Sequence, residues 1–192
     1  EEYCGIIMSQ IDRMQSMAQE VLSFSRGETN LDKTPTNVKT MMENFRQTNE
    51  EYVQKAGVKF TAEAPDLVVE LDEDKLERAL QNMLRNAVES MQKQNDGEIQ
   101  LVVQEFPDYI EIMLKDNGSG IPEEIQDRLF EPFVSHGKQG GTGLGMSISK
   151  GVVDAHQGRL TFDTDTDGTT FYMHLPKTHL ATTRTTADTA TV

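Results

Sequence analysis

The sequence predicts an α+β domain of two layers, in which helices cover one face of a mainly antiparallel β-sheet. Apolar residues recur every three or four positions around residues 38–56, 72–94 and 144–155, the period of a helix with one buried face. Apolar and polar residues alternate at 99–103 and 110–114, the period of a strand with one buried face. Turn residues separate these segments, so we predict that they are consecutive elements of one domain.

A separate helix is predicted over residues 1–27, before this domain. Six of its residues follow alternating spacings of four and three, typical of a helical bundle: Ile7, Ile11, Met14, Ala18, Val21 and Ser25. Four further apolar residues widen this face: Ile6, Met17, Leu22 and Phe24. A helix with such a wide apolar face needs several neighbours to cover it. Gly27 is expected to end the helix, and residues 1–29 are assigned to this first unit.

The first predicted element of the domain is a helix over residues 38–56, which follows a polar linker over residues 27–37. Thr36 or Asn37 is expected to be the N-cap, because a side-chain oxygen there can accept a free backbone N–H. The residues expected to face the core share helical spacing: Val38, Met41, Met42, Phe45, Tyr52, Val53 and Ala56.

Two strands are then predicted at residues 58–64 and 67–71, on either side of a turn. A second helix is expected from Asp72 to about Gln94, and the acidic residues in its first turn suit the helix dipole. Its apolar positions keep helical spacing: Leu76, Ala79, Leu80, Met83, Leu84, Ala87, Val88 and Met91.

The remaining elements are two hairpins with a helix between them. The first hairpin joins the alternating segments at 99–103 and 110–114. The helix at 144–155 is expected to stop at Gly158, and the second hairpin is expected to turn at residues 167–168.

Composition excludes several classes of function. The formal net charge of −14 at pH 7 argues against a nucleic-acid-binding protein, which needs a basic surface. No apolar run approaches the roughly 18 residues of a membrane span, so we expect no contact of this chain with a membrane. The chain starts without Met, which suggests a piece of a longer protein. Residues 178–192 are rich in Thr and Ala without periodicity and are expected to be disordered.

Glycines are concentrated before the helix at 144–155. Their spacing does not fit the P-loop or the dinucleotide-binding fingerprint. Gly141, Gly143 and Gly145 lie at the opening turn of that helix, where free N–H groups and the helix dipole favour an anion. A flexible surface loop would explain the glycines but not their position. The sequence therefore favours a phosphate-binding turn.

Two further features support a nucleotide site. Asn82 and Asn86 lie one helical turn apart with Arg85 between them, beside core positions, which indicates that an amide lines a cavity. An amide oxygen is a suitable ligand for Mg²⁺, which normally accompanies phosphates. Asp116 ends a strand, and its carboxylate could accept a hydrogen bond from an exocyclic amino group such as that of adenine. Taken alone, Asp116 is equally well explained as the opening residue of a turn.

Together these segments resemble the ATP-binding domain of the sensor histidine kinases of two-component systems, within the superfamily shared with gyrase, Hsp90 and MutL. Five segments are similar to elements of that domain: NMLRNA (82–87) to the N box, DNGSGIP (116–122) to the G1 box, FEPF (130–133) to the F box, GGTGLGM (140–146) to the G2 box and DGTTF (167–171) to its last hairpin. The resemblance covers roughly residues 30–177 and implies the Bergerat-type fold, a two-layer α/β sandwich, for that domain.

The resemblance also implies roles for individual residues. Asp116 would bind the adenine amino group, Asn86 would coordinate Mg²⁺, and Asn82 and Lys138 are the candidate catalytic residues. The residues expected to contact ATP are Arg85, Asn86, Asp116, Gly118, Gly120, Ile121, Lys138, Gly141, Thr142, Gly143, Leu144, Gly145 and Thr170. Glu89 stands where many members have a lysine, so Lys138 and Arg85 are expected to make more of the phosphate contacts.

At the level of the whole protein, the resemblance implies a kinase that passes the γ-phosphoryl group of ATP to a histidine, for relay to the receiver domain of a response regulator. Residues 1–27 are similar to the second helix of the dimerisation and phosphotransfer domain, so the intact protein is expected to be a homodimer. The acceptor histidine belongs to a helix that this chain lacks. None of the four histidines has the setting of an acceptor: His136, His156, His174 and His179. The chain is therefore expected to bind ATP without phosphorylating itself, as the cytoplasmic portion of a parent that is either soluble or membrane-bound.

Two alternatives stay open. One is a serine-protein kinase of the same superfamily, against which the bundle-type helix at 1–27 argues. The other is a nucleotide-sensing interaction module without catalysis, against which the intact motifs argue. Phosphohistidine in the longer parent protein would exclude the first, and ATP turnover by the parent would exclude the second.

Overall fold

The computed structural model of the protein describes residues 30–91, 96–135 and 142–177. The predicted bundle helix at residues 1–27 and the predicted disordered tail at residues 178–192 lie outside these ranges. Both stay predictions.

The described ranges contain two long helices, two shorter ones and seven strands. The helices are α1 (Val38–Lys55), α2 (Glu73–Ser90), α3 (Glu123–Gln126) and α4 (Gly145–Ala155). The strands are β1 (Thr34–Asn37), β2 (Lys59–Glu63), β3 (Val68–Leu71), β4 (Glu98–Glu105), β5 (Tyr109–Asp116), β6 (Arg159–Asp165) and β7 (Gly168–Pro176). No helix within the described ranges is long and apolar enough to cross a membrane.

Five strands form one sheet in the order β2-β4-β5-β7-β6. Every pairing is antiparallel except that of β2 with β4, which is parallel. Alternate residues of β4, β5 and β7 are buried, and they join the apolar residues of α1, α2 and α4 in one core. The predicted two-layer α+β architecture and the predicted hairpin between β4 and β5 are therefore confirmed.

One prediction about the first part of the domain is wrong. The last four residues of the polar linker form β1, which pairs antiparallel with β3. The two strands predicted at residues 58–64 and 67–71 are confirmed as β2 and β3, and β2 pairs with β4 while β3 pairs with β1. The sequence TPTN of β1 shows no apolar alternation. Its strand conformation comes from pairing with a distant segment, which satisfies backbone groups of both strands.

The buried face of α1 differs from the predicted one. Tyr52 and Ala56, which were expected in the core, are exposed, and the side chain of Tyr52 is 41% accessible. Asn49 is buried instead, one helical turn after Phe45. Its amide nitrogen donates to the Phe45 carbonyl oxygen at 2.9 Å. The helical period thus continues through a polar residue, because that amide is satisfied within its own helix.

Side-chain caps fix where α1 and α2 begin. Asn37, one of the two predicted caps, accepts the backbone N–H of the residue three positions later at 3.0 Å. Asp72 accepts the backbone N–H of Lys75 at 3.2 Å. These bonds satisfy N–H groups that have no partner inside a helix. The helix α2 ends at Ser90, and residues 92–95, within its predicted last turn, lie outside the described ranges.

The helix α4 ends near the predicted stop, but the left-handed residue is Gln157, with a φ of 61°, and not Gly158. The N–H of Gly158 donates to the Val153 carbonyl at 2.9 Å, and that of Gln157 donates to the Asp154 carbonyl at 2.8 Å. This pair of bonds is the Schellman arrangement that satisfies the last carbonyl groups of a helix.

The turn of the last hairpin is one residue earlier than predicted. Asp165 pairs with Gly168, so Thr166 and Asp167 form the turn and Gly168 is the first residue of β7. The hydrogen-bonding register between the two strands decides the turn, and the sequence does not reveal this register.

One buried histidine joins the start of α2 to the end of α4. His156 is 1% exposed, and its Nε2 accepts the backbone N–H of Asp72 at 3.1 Å. Its Nδ1 lies 2.8 Å from the Val152 carbonyl oxygen, to which it must donate, so the imidazole is neutral. Burial lowers the pKa of His156. The Asp72 carboxylate in turn accepts the backbone N–H of Asp32 at 2.9 Å, which holds the segment before β1 against the start of α2.

We expect the free energy of unfolding to decrease as the pH falls below the ordinary histidine pKa of about 6.5. Because the pKa of His156 is lowered in the folded state, the unfolded chain takes up the proton first. The stabilisation is complete above about pH 6.5 and is lost as the pH falls toward the lowered pKa. Urea unfolding at a series of pH values measures this slope. It should be shallower in His156→Gln, and equal slopes would contradict a buried neutral histidine.

Candidate functional site

The predicted site residues come from α2, the end of β5 and the start of α4. The helices α2 and α4 pack against each other over the same face of the sheet. The carboxyl end of β5 lies beside the end of α2, since Ser90 is within hydrogen-bonding distance of Asp116. The fold therefore brings three segments that are distant in sequence to one place.

Asp116 is a buried carboxylate surrounded by donors. It is the last residue of β5 and is 3% exposed. Its Oδ1 accepts the backbone N–H of Gly118 at 2.8 Å and lies 3.4 Å from the hydroxyl of Ser90. Burial raises the pKa of Asp116, while hydrogen bonds from Gly118, Thr169 and Ser90 act in the opposite direction. A carboxylate has about four acceptor positions, so Asp116 retains capacity for a further donor.

Thr170, which was predicted to lie near the adenine base, does not share a face of the sheet with the Asp116 carboxylate. Asp116 lies directly opposite Thr169, whereas Thr170 lies opposite Lys115. Neighbouring residues of a strand point to opposite faces, so Thr170 is on the other face of the sheet from the Asp116 carboxylate. Thr169 is 5% exposed and shares the buried face with Phe171. The apolar alternation of β7 carried this signal in the sequence.

The segment after Asp116 is held against the last hairpin. Gly120 has a φ of +70°, and a Cβ on it would lie 1.9 Å from the Asp165 carbonyl oxygen. The backbone N–H of Ile121 donates to Oγ1 of Thr164 at 2.9 Å, and the Ile121 side chain packs against the core. Only glycine fits both the left-handed backbone and this close approach. Gly120 is thus required by a contact within the protein, and its predicted contact with ATP stays a prediction.

Asn82 connects α2 to the first turn of α4. Its Nδ2 donates to the carbonyl oxygen of Gly145 at 3.0 Å and lies 3.4 Å from the hydroxyl of Ser149. Its Oδ1 accepts a hydrogen bond from Arg85 at 3.2 Å. Both ends of the amide are therefore engaged with protein atoms. Asn86 lies one turn further along the same face and is partly exposed.

The start of α4 lies against the FEPF segment. Gly143 has a φ of +69°, and a Cβ on it would lie 2.6 Å from the carbonyl carbon of Phe133. The Leu144 side chain is buried, so only its backbone can face a ligand, and its N–H donates to Oγ1 of Thr142 at 3.2 Å. Three residues considered for this site lie outside the described ranges: His136, Lys138 and Gly141.

Sequence reasoning missed four residues near the site: Tyr52, Ser90, Ser149 and Thr169. Burial raises the pKa of Tyr52 on α1, and the charges of Glu89 and Arg85 also act on this pKa. Tyr52 is therefore near these two residues of α2. Arg85 and Glu89 share the face of α2 that carries Asn82. Tyr52 was expected to face the core, and no periodicity distinguishes an aromatic residue at the edge of a core from one inside it.

The donor set limits how a metal ion could bind. Within residues 30–91, 96–135 and 142–177, no group of three or more His, Cys, Asp or Glu side chains could hold a metal ion. Mg²⁺ typically takes one or two protein oxygens and completes its octahedron with phosphate oxygens and water. The amide oxygen of Asn86 on the exposed part of α2 fits this kind of site. Its role as a ligand stays a prediction.

Comparisons with known proteins agree with this geometry. Residues 71–179 match the family described as histidine kinase-, DNA gyrase B- and HSP90-like ATPases. The sensory histidine kinase/phosphatase NtrB of Vibrio alginolyticus is 32% identical over 188 residues, which cover 91% of this chain and 52% of NtrB. The chain thus spans about half the length of this relative.

Solved structures show the same fold. The nucleotide-free catalytic domain of histidine kinase ThkA is 29% identical, with a TM-score of 0.69 over 77% of this chain and 97% of that domain. ThkA in complex with the response regulator TrrA is 26% identical, with a TM-score of 0.74 over 93% of this chain and 51% of that one. These similarities confirm the predicted α+β fold and the predicted resemblance.

We expect Gly143→Ala to lower the free energy of unfolding by about 1–3 kcal/mol, because alanine is strained in the left-handed region and its Cβ would collide with Phe133. Gly151→Ala is the matched control in α4, where a Cβ meets no atom within 4 Å. It should instead gain about 0.5–1 kcal/mol from helix propensity. Urea unfolding measures both values. A Gly143→Ala variant as stable as the wild type would contradict the close contact.

Proposed function

Because the chain belongs to the family of histidine kinase-, DNA gyrase B- and HSP90-like ATPases, we propose that it is the catalytic part of a sensor histidine kinase. In this proposal it binds ATP with Mg²⁺ and passes the γ-phosphoryl group to a histidine on a dimerisation helix. The observation that carries the proposal is the bond from Asn82 to the Gly145 carbonyl oxygen at 3.0 Å. It brings the amide-bearing face of α2 beside the free N–H groups at the start of α4.

Asp116 is the proposed recognition group for adenine. Its carboxylate is buried and faces the hydroxyl and backbone donors of Ser90, Gly118 and Thr169. The exocyclic amino group of adenine would donate one more hydrogen bond to the carboxylate. Guanine has a carbonyl oxygen at that position, and two acceptor oxygens facing each other form no hydrogen bond. This chemistry favours adenine over guanine.

The first turn of α4 is the proposed phosphate site. The first backbone bond of that turn runs from the N–H of Ile148 to the Leu144 carbonyl at 2.9 Å. The N–H groups of residues 145–147 precede it and have no carbonyl one turn earlier to bond with. Such groups and the helix dipole favour phosphate oxygens. Arg85 donates a hydrogen bond to Asn82 at 3.2 Å, so its positive charge is near this turn, and we propose that it contacts the phosphates. Lys138 is the second side chain that we propose for the phosphates.

Asn86 is the proposed protein ligand of Mg²⁺. When bound, the ion would neutralise phosphate charge during transfer. Asn82 orients the start of α4 through Gly145 and is oriented itself by Arg85. Its contribution to the reaction is thus proposed to be the positioning of phosphate-binding groups, and Lys138, the other candidate catalytic residue, is proposed to contact the phosphates. Positioning and charge neutralisation are the main requirements of phosphoryl transfer.

The phosphoryl acceptor is proposed to lie on a dimerisation helix of the intact protein. Of the histidines that the structure describes, His156 has both ring nitrogens bonded within the protein. His174 lies on β7, with Nε2 at 2.7 Å from the Glu111 carboxylate. The Nδ1 of His174 is buried, so neither imidazole has an unbonded nitrogen that is open to solvent.

Partners follow from the relatives. NtrB is named a kinase and phosphatase, and ThkA has been solved with a response regulator. We propose that the intact protein forms a homodimer through residues 1–29 and delivers its phosphoryl group to a receiver domain. The proposed location of this part is the cytoplasm, where ATP is available.

We expect Asp116→Asn to weaken ADP binding by about 1–3 kcal/mol, because an amide NH₂ would face the amino group of adenine. Asp116 has a raised pKa, so its ionised form lowers stability above that pKa. The variant should therefore be at least as stable as the wild type at neutral pH. Calorimetry and urea unfolding measure the two effects.

The matched control is Asp108→Asn, in the exposed turn at the other end of β5. It should leave ADP affinity unchanged. Unchanged affinity in Asp116→Asn would remove Asp116 from the site, and equal losses in both variants would indicate an effect of net charge alone.

We expect Asn86→Ala to weaken ADP binding in the presence of Mg²⁺ and to leave binding in the presence of a chelator nearly unchanged. The reason is that the amide is proposed to contact the metal and not the base. Calorimetry under both conditions gives the comparison. An equal loss with and without Mg²⁺ would mean that Asn86 has a structural role.

A further inference from the structure

We propose that Ser149 is a positioning residue for phosphate binding, which holds the first turn of α4 in the orientation that phosphates require. This inference rests on the proposed nucleotide-binding function. It concerns a residue that does not itself face the ligand, since Ser149 is 0% exposed.

The Ser149 hydroxyl is the centre of a small buried network between α2 and α4. It lies 3.2 Å from the carbonyl oxygen of Ala79 on α2 and 3.0 Å from that of Gly145 on its own helix. Asn82 approaches it with its amide nitrogen at 3.4 Å. A hydroxyl has one proton and two lone pairs. Ser149 therefore shares its proton between the two carbonyl groups and accepts from Asn82.

The network fixes the orientation of one particular peptide group. The Gly145 carbonyl accepts from the Asn82 amide at 3.0 Å as well as from Ser149. In a trans peptide the carbonyl and the following N–H point in opposite directions. Two donors on the Gly145 oxygen therefore hold the N–H of Met146 toward the amino-terminal end of α4, where the phosphates are proposed to bind.

Packing alone does not require the bond to Ala79. Ala79 lies inside α2, where its carbonyl already accepts a backbone N–H from the next turn. The Ser149 hydroxyl is thus an additional donor that specifies how α4 sits relative to α2. An alanine would fill nearly the same volume without specifying that relation.

Ser147 provides a matched comparison within the same helix. Its hydroxyl donates to the Leu144 carbonyl oxygen at 2.8 Å, three residues earlier at the start of the same helix, so this bond does not involve α2. The Ser147 side chain is only partly buried. Replacement of either serine by alanine raises helix propensity by the same amount. A difference between the two variants therefore reports the contact between α2 and α4.

The binding experiment compares wild type and Ser149→Ala with two probes, ADP with Mg²⁺ and adenosine. Adenosine carries the base but no phosphate. We expect Ser149→Ala to bind ADP about three- to tenfold more weakly, the fold-change for one lost hydrogen bond. Its adenosine affinity, measured by NMR titration, should be unchanged. Ser147→Ala serves as the control for hydrogen exchange and not for binding, because the backbone N–H of residue 147 belongs to the proposed phosphate site.

Hydrogen exchange without ligand tests the same inference independently of nucleotide binding. Amides of residues 148–152 should exchange faster in Ser149→Ala than in Ser147→Ala, because α4 has lost a bond to α2. Equal weakening of both probes, or equal exchange in both variants, would overturn the positioning role. A wild-type protein that binds neither probe would refute the proposed function, and the exchange comparison would still decide the role of Ser149.

Discussion

The arrangement of the candidate site depends on how α2 is fixed against α4. Apolar packing holds the two helices together, but the hydrophobic effect is not directional. Polar bonds at two separate points remove that freedom. His156 accepts the Asp72 N–H at 3.1 Å where α2 begins. About three turns further along α2, Asn82 donates to the Gly145 carbonyl oxygen at 3.0 Å. Each bond is directional and buried or partly buried, so a shift of either helix would leave polar groups unsatisfied.

The same site contains a conflict between stability and binding. Asp116 is buried, and burial raises its pKa, so ionisation of this carboxyl is less favourable in the folded protein than in the unfolded chain. The donors of Gly118 and Ser90 act against this effect of burial. A buried carboxyl with a raised pKa at the end of a central strand is expected to serve a ligand. The proposed adenine contact gives Asp116 such a role.

Local periodicity predicted the long helices, the hairpin of β4 and β5 and the two-layer fold, because each of these depends on one buried face. The identity of the buried residues was harder to predict where a polar residue occupies that face, as Asn49 does by bonding to Phe45. The strand β1 was missed because its partner β3 lies more than thirty residues away and its own sequence has no alternation. Ser149 was missed for a similar reason, since its bond to Ala79 spans 70 positions. Thr170 was chosen over Thr169, although the alternation of β7 indicates that Thr169 shares the buried face with Asp116.

The central claim is that a nucleotide binds between α2, the end of β5 and the start of α4. An NMR titration of the isotope-labelled protein with ADP and Mg²⁺ tests it most directly, because every backbone N–H is observed at once. The account predicts saturable shifts that are largest for Gly118, Met146 and the side-chain amide of Asn86. The amides of β1 and of the turn between β4 and β5 should change little. No saturable shift, or shifts concentrated away from these three segments, would contradict the claim.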